Sequence, residues 1–304
     1  MARLLIAGFG DVARRALPAL ASRHAVTALL RHADGREAVL REAGARVLLA
    51  DLDDPGSLAG CAGFELVAHL APPPGEGAQD TRSRHLLAAL DAAPPERLVY
   101  VSTSGVYGDC KGALVDETRP VNPDSDRARR RVDAERLWLD WGARRGVRIV
   151  VLRAPGIYAA DRLSLERIRR GTPALREEDD VYTNHIHADD LAMMLVTALE
   201  HPDAQGVYNA SDDSALRMGE WFDLLADRHG LPRPPRIPLA EAAARIPAPL
   251  LSFMRESRRL DNSRIKRELG VSLAYPTVRE GVPDRRAGRL SDRMSDRTPD
   301  PASP

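Results

Sequence analysis

The chain has 304 residues, with 44 basic against 44 acidic side chains, 43% hydrophobic residues, 2 cysteines and 23 prolines. That is enough for one large domain, or a domain with a smaller companion, and the zero formal charge excludes a protein that holds nucleic acid or acidic lipid by basic excess, so a small molecule is the default partner. No apolar run approaches the roughly 20 residues a membrane-spanning helix needs, no cleavable leader is visible, and Cys61 and Cys110 lack metal or CxxC spacing, so a reduced, cytoplasmic protein is expected.

Residues 3–7 are a continuously apolar run ending at Gly8, which reads as a buried strand. A helix follows over 11–23, with Pro18 expected to bend or shorten it. The alternation then repeats, with strands over 26–30, 45–50, 66–70, 97–102 and 147–152 and helices over 36–43, 55–61, 79–92 and 124–145. Unbroken apolar strands separated by helices predict a parallel sheet covered on both faces, an α/β doubly wound architecture. After Arg153 the rhythm changes. Helices over 188–199 and 219–229, a strand over 207–210 and Pro-rich connections predict a smaller C-terminal α/β lobe whose chain returns to the sheet. The expected organisation is a dinucleotide-binding Rossmann domain over 1–152, a substrate lobe over 153–283, and a disordered tail over 284–304 that has almost no apolar residue to offset its ordering entropy.

Between the first strand and the first helix stands Gly8-Phe9-Gly10-Asp11-Val12-Ala13, a G-x-G-x-x-A loop. Gly8 permits the tight turn, Gly10 lets the backbone approach a pyrophosphate, and Ala13 lets helix and strand pack closely, with phosphates at the helix N-terminus beside Asp11 and Val12. The second strand ends in Arg31-His32, where an acidic residue would bind a ribose 2′-hydroxyl and Arg accommodates a 2′-phosphate. NADP is therefore favoured, with NAD as the alternative. Asp51 and Leu52, after the third strand, occupy the usual place of an adenine contact; a loop-capping Asp is the competing explanation.

Five further segments carry a resemblance: Val67-Ala68-His69-Leu70-Ala71, Tyr100-Val101-Ser102-Thr103-Ser104-Gly105-Val106-Tyr107-Gly108, Leu152-Arg153-Ala154-Pro155-Gly156-Ile157-Tyr158, Asn184-His185-Ile186-His187-Ala188-Asp189-Asp190-Leu191, and Asn262-Ser263 with Leu269-Gly270. With the glycine loop, they resemble the extended short-chain dehydrogenase/reductase (NAD-dependent epimerase/dehydratase) family. The resemblance implies further cofactor contacts at Leu70, Ala71, Pro72, Ser102 and Pro155. It also implies a substrate-polarising hydroxyl at Thr103, flanked by Ser104.

The family's acid/base Tyr and its Lys four residues later would fall on Arg127 and Arg131, so the standard pair is absent, as in the atypical subgroup. All but two of the 44 basic residues are arginine, the exceptions being Lys111 and Lys266. The literal Tyr107-x-x-x-Lys111 is flanked by Gly108 and Gly112, so it reads as a loop rather than the one helix face the chemistry needs. Arg131 is left as fixed positive charge near a ribose or substrate oxyanion. Substitute proton carriers are Tyr158, expected beside the nicotinamide, and His185 or His187 between the lobes. No metal site is expected, since His185-x-His187 lacks a third outlying ligand motif. The run 127–131 precedes Asp133 and Glu135 and reads as a salt-bridged helix face. Val132, Leu137, Trp138 and Trp141 cover more than one face of that helix, which points to a homodimer contact, with core packing inside one chain as the alternative.

The sequence thus predicts an NADP-binding oxidoreductase or epimerase-like enzyme for a small polar substrate, a sugar or hydroxyl-bearing metabolite. Hydride would be exchanged at a carbon near Thr103. The competing class is a non-catalytic NADP(H) sensor or scaffold.

Overall fold

The computed structural model describes residues 1–284; the expected tail lies, from residue 285, outside the described residues. Seven strands form one parallel sheet. They are β1 (Arg3–Ala7), β2 (Ala25–Leu30), β3 (Arg46–Leu49), β4 (Leu66–His69), β5 (Arg97–Thr103), β6 (Arg148–Ala154) and β7 (Gly206–Asn209), in the order β3-β2-β1-β4-β5-β6-β7. The order reverses between β1 and β4, so a crevice opens at their C-terminal ends. Strand β7 is the predicted return segment, pairing Gly206–Asn209 with Val150–Arg153.

Successive residues of β1 serve opposite faces of the sheet, which is why its sequence is continuously apolar. Leu4 and Ile6 pack with helices α1 (Asp11–Ala21), α2 (Arg36–Glu42) and α5 (Ala188–Glu200), whereas Leu5 and Ala7 pack on the side of α3 (Thr81–Leu90) and α4 (Asp126–Arg145). Helix α1 runs through Pro18 to Ala21, two residues short of the predicted end, and Ser22 N–H donates to the Pro18 carbonyl at 3.3 Å. A third core, around Trp221 and Phe222 of α6 (Met218–His229), builds the second lobe. Among the described residues no helix is long and apolar enough to cross a membrane.

Helix α4 uses its side chains differently from the sequence reading. Trp138 and Trp141 are buried within this chain: their rings meet at 5.7 Å, Trp138 meets His69 at 5.7 Å, and Trp141 Nε1 donates to Asp91 at 2.7 Å. These two tryptophans thus pack inside one chain, and the exposed side of α4 carries Arg129, Arg136, Asp140 and Arg144. Nor is 127–131 a salt-bridged face. Only Arg129 pairs along the helix, with Asp126 at 2.7 Å, whereas Asp133 pairs with Arg84 of α3 and Glu135 pairs with Arg153 of β6 at 2.7 Å.

The Glu135–Arg153 pair is the main buried charge of the first lobe. Glu135 is 3% and Arg153 6% exposed, and Glu135 also accepts the Ser102 hydroxyl. Arg153 lies 4.7 Å from the Tyr107 ring centre, and Tyr107 donates to Asn209 of β7 at 2.9 Å. The network therefore joins β5, β6, β7 and α4. Removing one partner strands the other charge, so Arg153→Met is expected to cost about 3–5 kcal/mol in urea-unfolding free energy. A loss below about 1 kcal/mol would show that the charge is solvated.

Two buried imidazoles add a pH dependence. Burial lowers His185 to about 3 and lowers His69 as well. Unfolded imidazoles take up protons near pH 6.5, which the folded ones refuse, so this contribution to stability is present above pH 6.5 and lost as pH falls below it. His185 alone should remove about 2 kcal/mol between pH 7 and pH 5. His185→Phe should flatten that slope in unfolding titrations.

Candidate functional site

At the end of β1 the backbone turns through Gly8 at φ +103°, and a Cβ there would lie 2.3 Å from the Ala71 nitrogen. Leu70 and Ala71 both donate backbone N–H groups to the Ala7 carbonyl, at 2.8 and 3.0 Å. The glycine is therefore required by the close approach of two loops. Gly10 differs: it caps α1, and a Cβ there would meet nothing within 4 Å. That open space lies over the unpaired N–H groups of a helix start, a ready anion site.

A cleft of about 360 Å³ opens at this point, lined by Gly8, Gly10, Asp11, Val12, Ala13 and Leu70 on one side and by Ser102, Thr103 and Pro155 on the other. Asp11 faces it with its carboxylate already held by Arg15 at 3.1 Å and Arg162 at 2.7 Å. Arg15 also pairs with Asp161 at 2.6 Å and Asp189 at 2.7 Å, fastening α1 to the loop after β6 and to the start of α5. Ser102 contributes no free hydroxyl, because its side chain is buried and donates to Glu135.

Around the end of β2, Arg31 is exposed, and Arg36 reaches from α2 to donate to the Phe9 carbonyl at 2.8 Å. Asp51 proves to be the loop cap: its carboxylate accepts the Asp53 N–H at 3.0 Å. The Leu52 side chain is buried in the core, while its carbonyl accepts from His85 Nδ1 at 2.7 Å. Lys111 lies in a loop at φ +53°, outside any helix.

A second, larger cleft of about 640 Å³ lies between the lobes. Thr103 and Arg131 line both clefts and so mark where they meet. Thr103 accepts the Gly105 N–H at 3.2 Å, and buried Ser104 lines the larger cleft beside it, with Pro72 nearby. Arg131 Nη1 donates to the Tyr100 hydroxyl and to the Val101 carbonyl, each at 2.9 Å. Burial pushes the Tyr100 phenol well above its ordinary pKa, with Arg131 opposing, so the hydroxyl keeps its proton.

Tyr158 and His185 sit on paired short strands, Gly156–Tyr158 and His185–His187, at the floor of the larger cleft. The Tyr158 hydroxyl points to the Thr277 carbonyl, 3.4 Å away, and its ring packs against His187 at 5.2 Å and Trp221 at 5.6 Å. Burial raises its pKa strongly. This geometry makes Tyr158 a packing residue and corrects its placement as proton carrier. His185 stacks 4.3 Å from Trp221, and its depressed pKa keeps it neutral. His187 Nδ1 accepts the Asp189 N–H at 3.3 Å and its ring lies 3.8 Å from Tyr275, while Asp190 accepts the N–H groups of Ala274 and Tyr275.

Sequence reasoning missed the charge of this cleft. Six arginines line it, Arg127, Arg130, Arg131, Arg162, Arg167 and Arg258, against one carboxylate, Glu256. Position in the chain singled out Arg127 and Arg131, but where nearly every basic residue is arginine no local signal separates the other four from the surface ones.

A profile of the NAD(P)H-binding family matches residues 8–202. A curated relative, GDP-6-deoxy-D-mannose reductase of Pseudomonas aeruginosa, is 28% identical over 144 residues, 42% of this chain and 47% of that protein. The match thus spans about half the relative's length. Among solved structures, a conserved protein of unknown function from Silicibacter pomeroyi is 31% identical, with 95% of this chain and 99% of that chain covered and a TM-score of 0.76. The UDP-glucose 4-epimerase of Thermotoga maritima shares the fold at 20% identity, covering 96% of this chain and 99% of its own, with a TM-score of 0.74. With the glycine loop at the reversal of a seven-stranded parallel sheet, these matches establish the chain as a member of the NAD(P)H-binding family, built like the short-chain dehydrogenase/reductase proteins of the epimerase/dehydratase type.

Proposed function

We propose that the protein is an oxidoreductase or epimerase-like enzyme that binds NADP in the smaller cleft and a small polar molecule in the larger one. The observation that carries this reading is the meeting of the two clefts at Thr103 and Arg131. The cofactor fits on independent grounds: the space over Gly10 and the start of α1 suits a pyrophosphate, and the channel past Leu70 and Pro155 leads from there to Thr103. A nicotinamide cofactor held by the Gly10 loop, Leu70 and Pro155 would supply or accept a hydride. Thr103 orients the substrate oxygen by hydrogen bond, and Arg131 stabilises negative charge developing there. Arg131 holds its own proton throughout, so water supplies the proton taken up when the substrate is reduced and accepts the one released when it is oxidised. A built, substrate-sized second cleft favours the enzyme over the sensor, which would need only the first. The division at residue 152, the cytoplasmic setting and a homodimer belong to the same proposal.

For NADP over NAD, the support is the exposed Arg31 at the end of β2, where an acidic residue would hold a ribose 2′-hydroxyl; Arg36 nearby donates to the Phe9 carbonyl but is already paired with Asp34 at 2.6 Å. Fluorescence titration should give NADPH the lower Kd, by about ten-fold or more, and Arg31→Asp should reverse the order. Equal affinities in the unaltered protein would remove NADP from the proposal.

The two loop glycines should separate stability from binding. Gly10→Val fills open space, so the melting temperature should hold while NADPH binding is lost. Gly8→Ala meets backbone at 2.3 Å, so it should unfold the protein at lower temperature whether or not NADPH is present. Retained binding in Gly10→Val would refute the cofactor cleft.

A further inference from the structure

We propose that the substrate carries an oxyanion group, a carboxylate or a phosphate, beside the carbon that exchanges hydride, and that Arg127 and Arg131 hold that group. The inference rests on the reading of the two clefts above. Helix α4 places the two residues at i and i+4, with Cβ atoms about 6 Å apart on one face, and both line the larger cleft. Among the described residues neither guanidinium has a carboxylate within 4.0 Å, whereas Arg129, between them, pairs with Asp126. Arg131 is aimed by its two bonds from Nη1, to the Tyr100 hydroxyl and the Val101 carbonyl, which leave Nε and Nη2 for a ligand. The Arg127 guanidinium lies 4.2 Å over the Phe253 ring.

Two of the other four arginines of the cleft are paired with carboxylates. Glu256 is bound by Arg258 at 2.8 Å, and Arg162 by Asp11 at 2.7 Å. Arg130 donates to the Gly77 carbonyl, and Arg167, on the opposite lobe, lies 3.5 Å over Phe222 with Nη2 donating to the Pro173 carbonyl. Arg130 and Arg167 also lack a carboxylate, but Arg127 and Arg131 share one face of α4 and Arg131 lines both clefts, so these two form the pair placed to hold an anion at the junction.

Two like charges face one cleft whose single carboxylate, Glu256, acts on Arg127 but is bound by Arg258, so an arriving anion is favoured, and the guanidinium fork matches two oxygens of a carboxylate or phosphate. A neutral sugar or alcohol would leave both charges unpaired as it displaced water. Since Arg131 also lines the cofactor cleft, the anion sits at the junction rather than at a distant end of the substrate. The substrate class is a small hydroxy or oxo compound with the anionic group near its reacting carbon, of which a 2-hydroxy or 2-oxo acid is the carboxylate form.

The test is calorimetric titration of the NADPH-loaded protein with oxalate and with inorganic phosphate, on the unaltered chain, on Arg127→Gln and on Arg144→Gln at the exposed end of α4. NADPH affinity is measured for each protein in parallel. At least one anion should bind the unaltered protein, weaken about ten-fold or more in Arg127→Gln, and bind Arg144→Gln unchanged, with NADPH affinity equal in all three. Tighter oxalate assigns the carboxylate class, and tighter phosphate the phosphate class. Failure of both anions to bind the loaded protein, or equal binding by Arg127→Gln, overturns the proposal. Anion binding that depends on Arg127 in a protein to which NADPH does not bind would overturn the cofactor reading and leave the anion site standing.

Discussion

A carboxylate buried beneath a sheet must find its counter-charge inside the protein, and in this chain that requirement orients the helix from which both clefts take their charge. Glu135 receives the Arg153 guanidinium from β6 and the Ser102 hydroxyl from β5. Because α4 turns once every 3.6 residues, fixing Glu135 fixes the faces of Arg131 and Arg127, one and two turns earlier. Trp141, bonded to Asp91, sets the helix at its other end. Such a pair adds little net stability over an apolar replacement, but breaking it is costly, so its principal effect here is orientation.

Orientation matters because the two side chains that α4 turns toward the junction from one face are arginines. A guanidinium cannot exchange its proton at ordinary pH, so the junction of the clefts offers fixed positive charge and hydroxyl groups. Tyr100 strengthens that character: raised in pKa by burial and hydrogen-bonded to Arg131, it steadies the charge without titrating. The chemistry suited to this arrangement is stabilisation of negative charge in place, with protons exchanged through solvent.

The sheet was legible because burial on both faces leaves a local mark: every central strand is a run of apolar residues, and element ends moved by only a few positions, as with α1 ending at Ala21 instead of residue 23. The tight turn at Gly8 was legible because its role follows from backbone geometry. Side-chain partnerships were not. Asp133 and Glu135 read as intrahelical partners for the preceding arginines, yet Arg84 and Arg153 reach them from neighbouring elements. Tyr158 read as a proton carrier from its place after β6, but its direction is decided by Thr277, more than a hundred residues away. Asp51 was divided between two roles by sequence, and one backbone N–H, that of Asp53, assigns it to the loop.

The charge balance of 44 against 44 excludes a protein-wide field and says nothing about where charge is concentrated. Six arginines and one carboxylate share the cleft between the lobes, so neutrality overall coexists with a strongly positive interior surface. Low-dielectric walls keep such charges from being screened as they would be on an open surface. The cleft without a ligand is then a local source of instability, concentrated where α4 meets the second lobe. An anion that binds only the folded form relieves it and stabilises the whole chain by mass action. The same buried carboxylate that orients α4 thus couples the identity of the ligand to the stability of the fold, because a helix turned by a third of a circle would direct Arg127 and Arg131 away from the cleft.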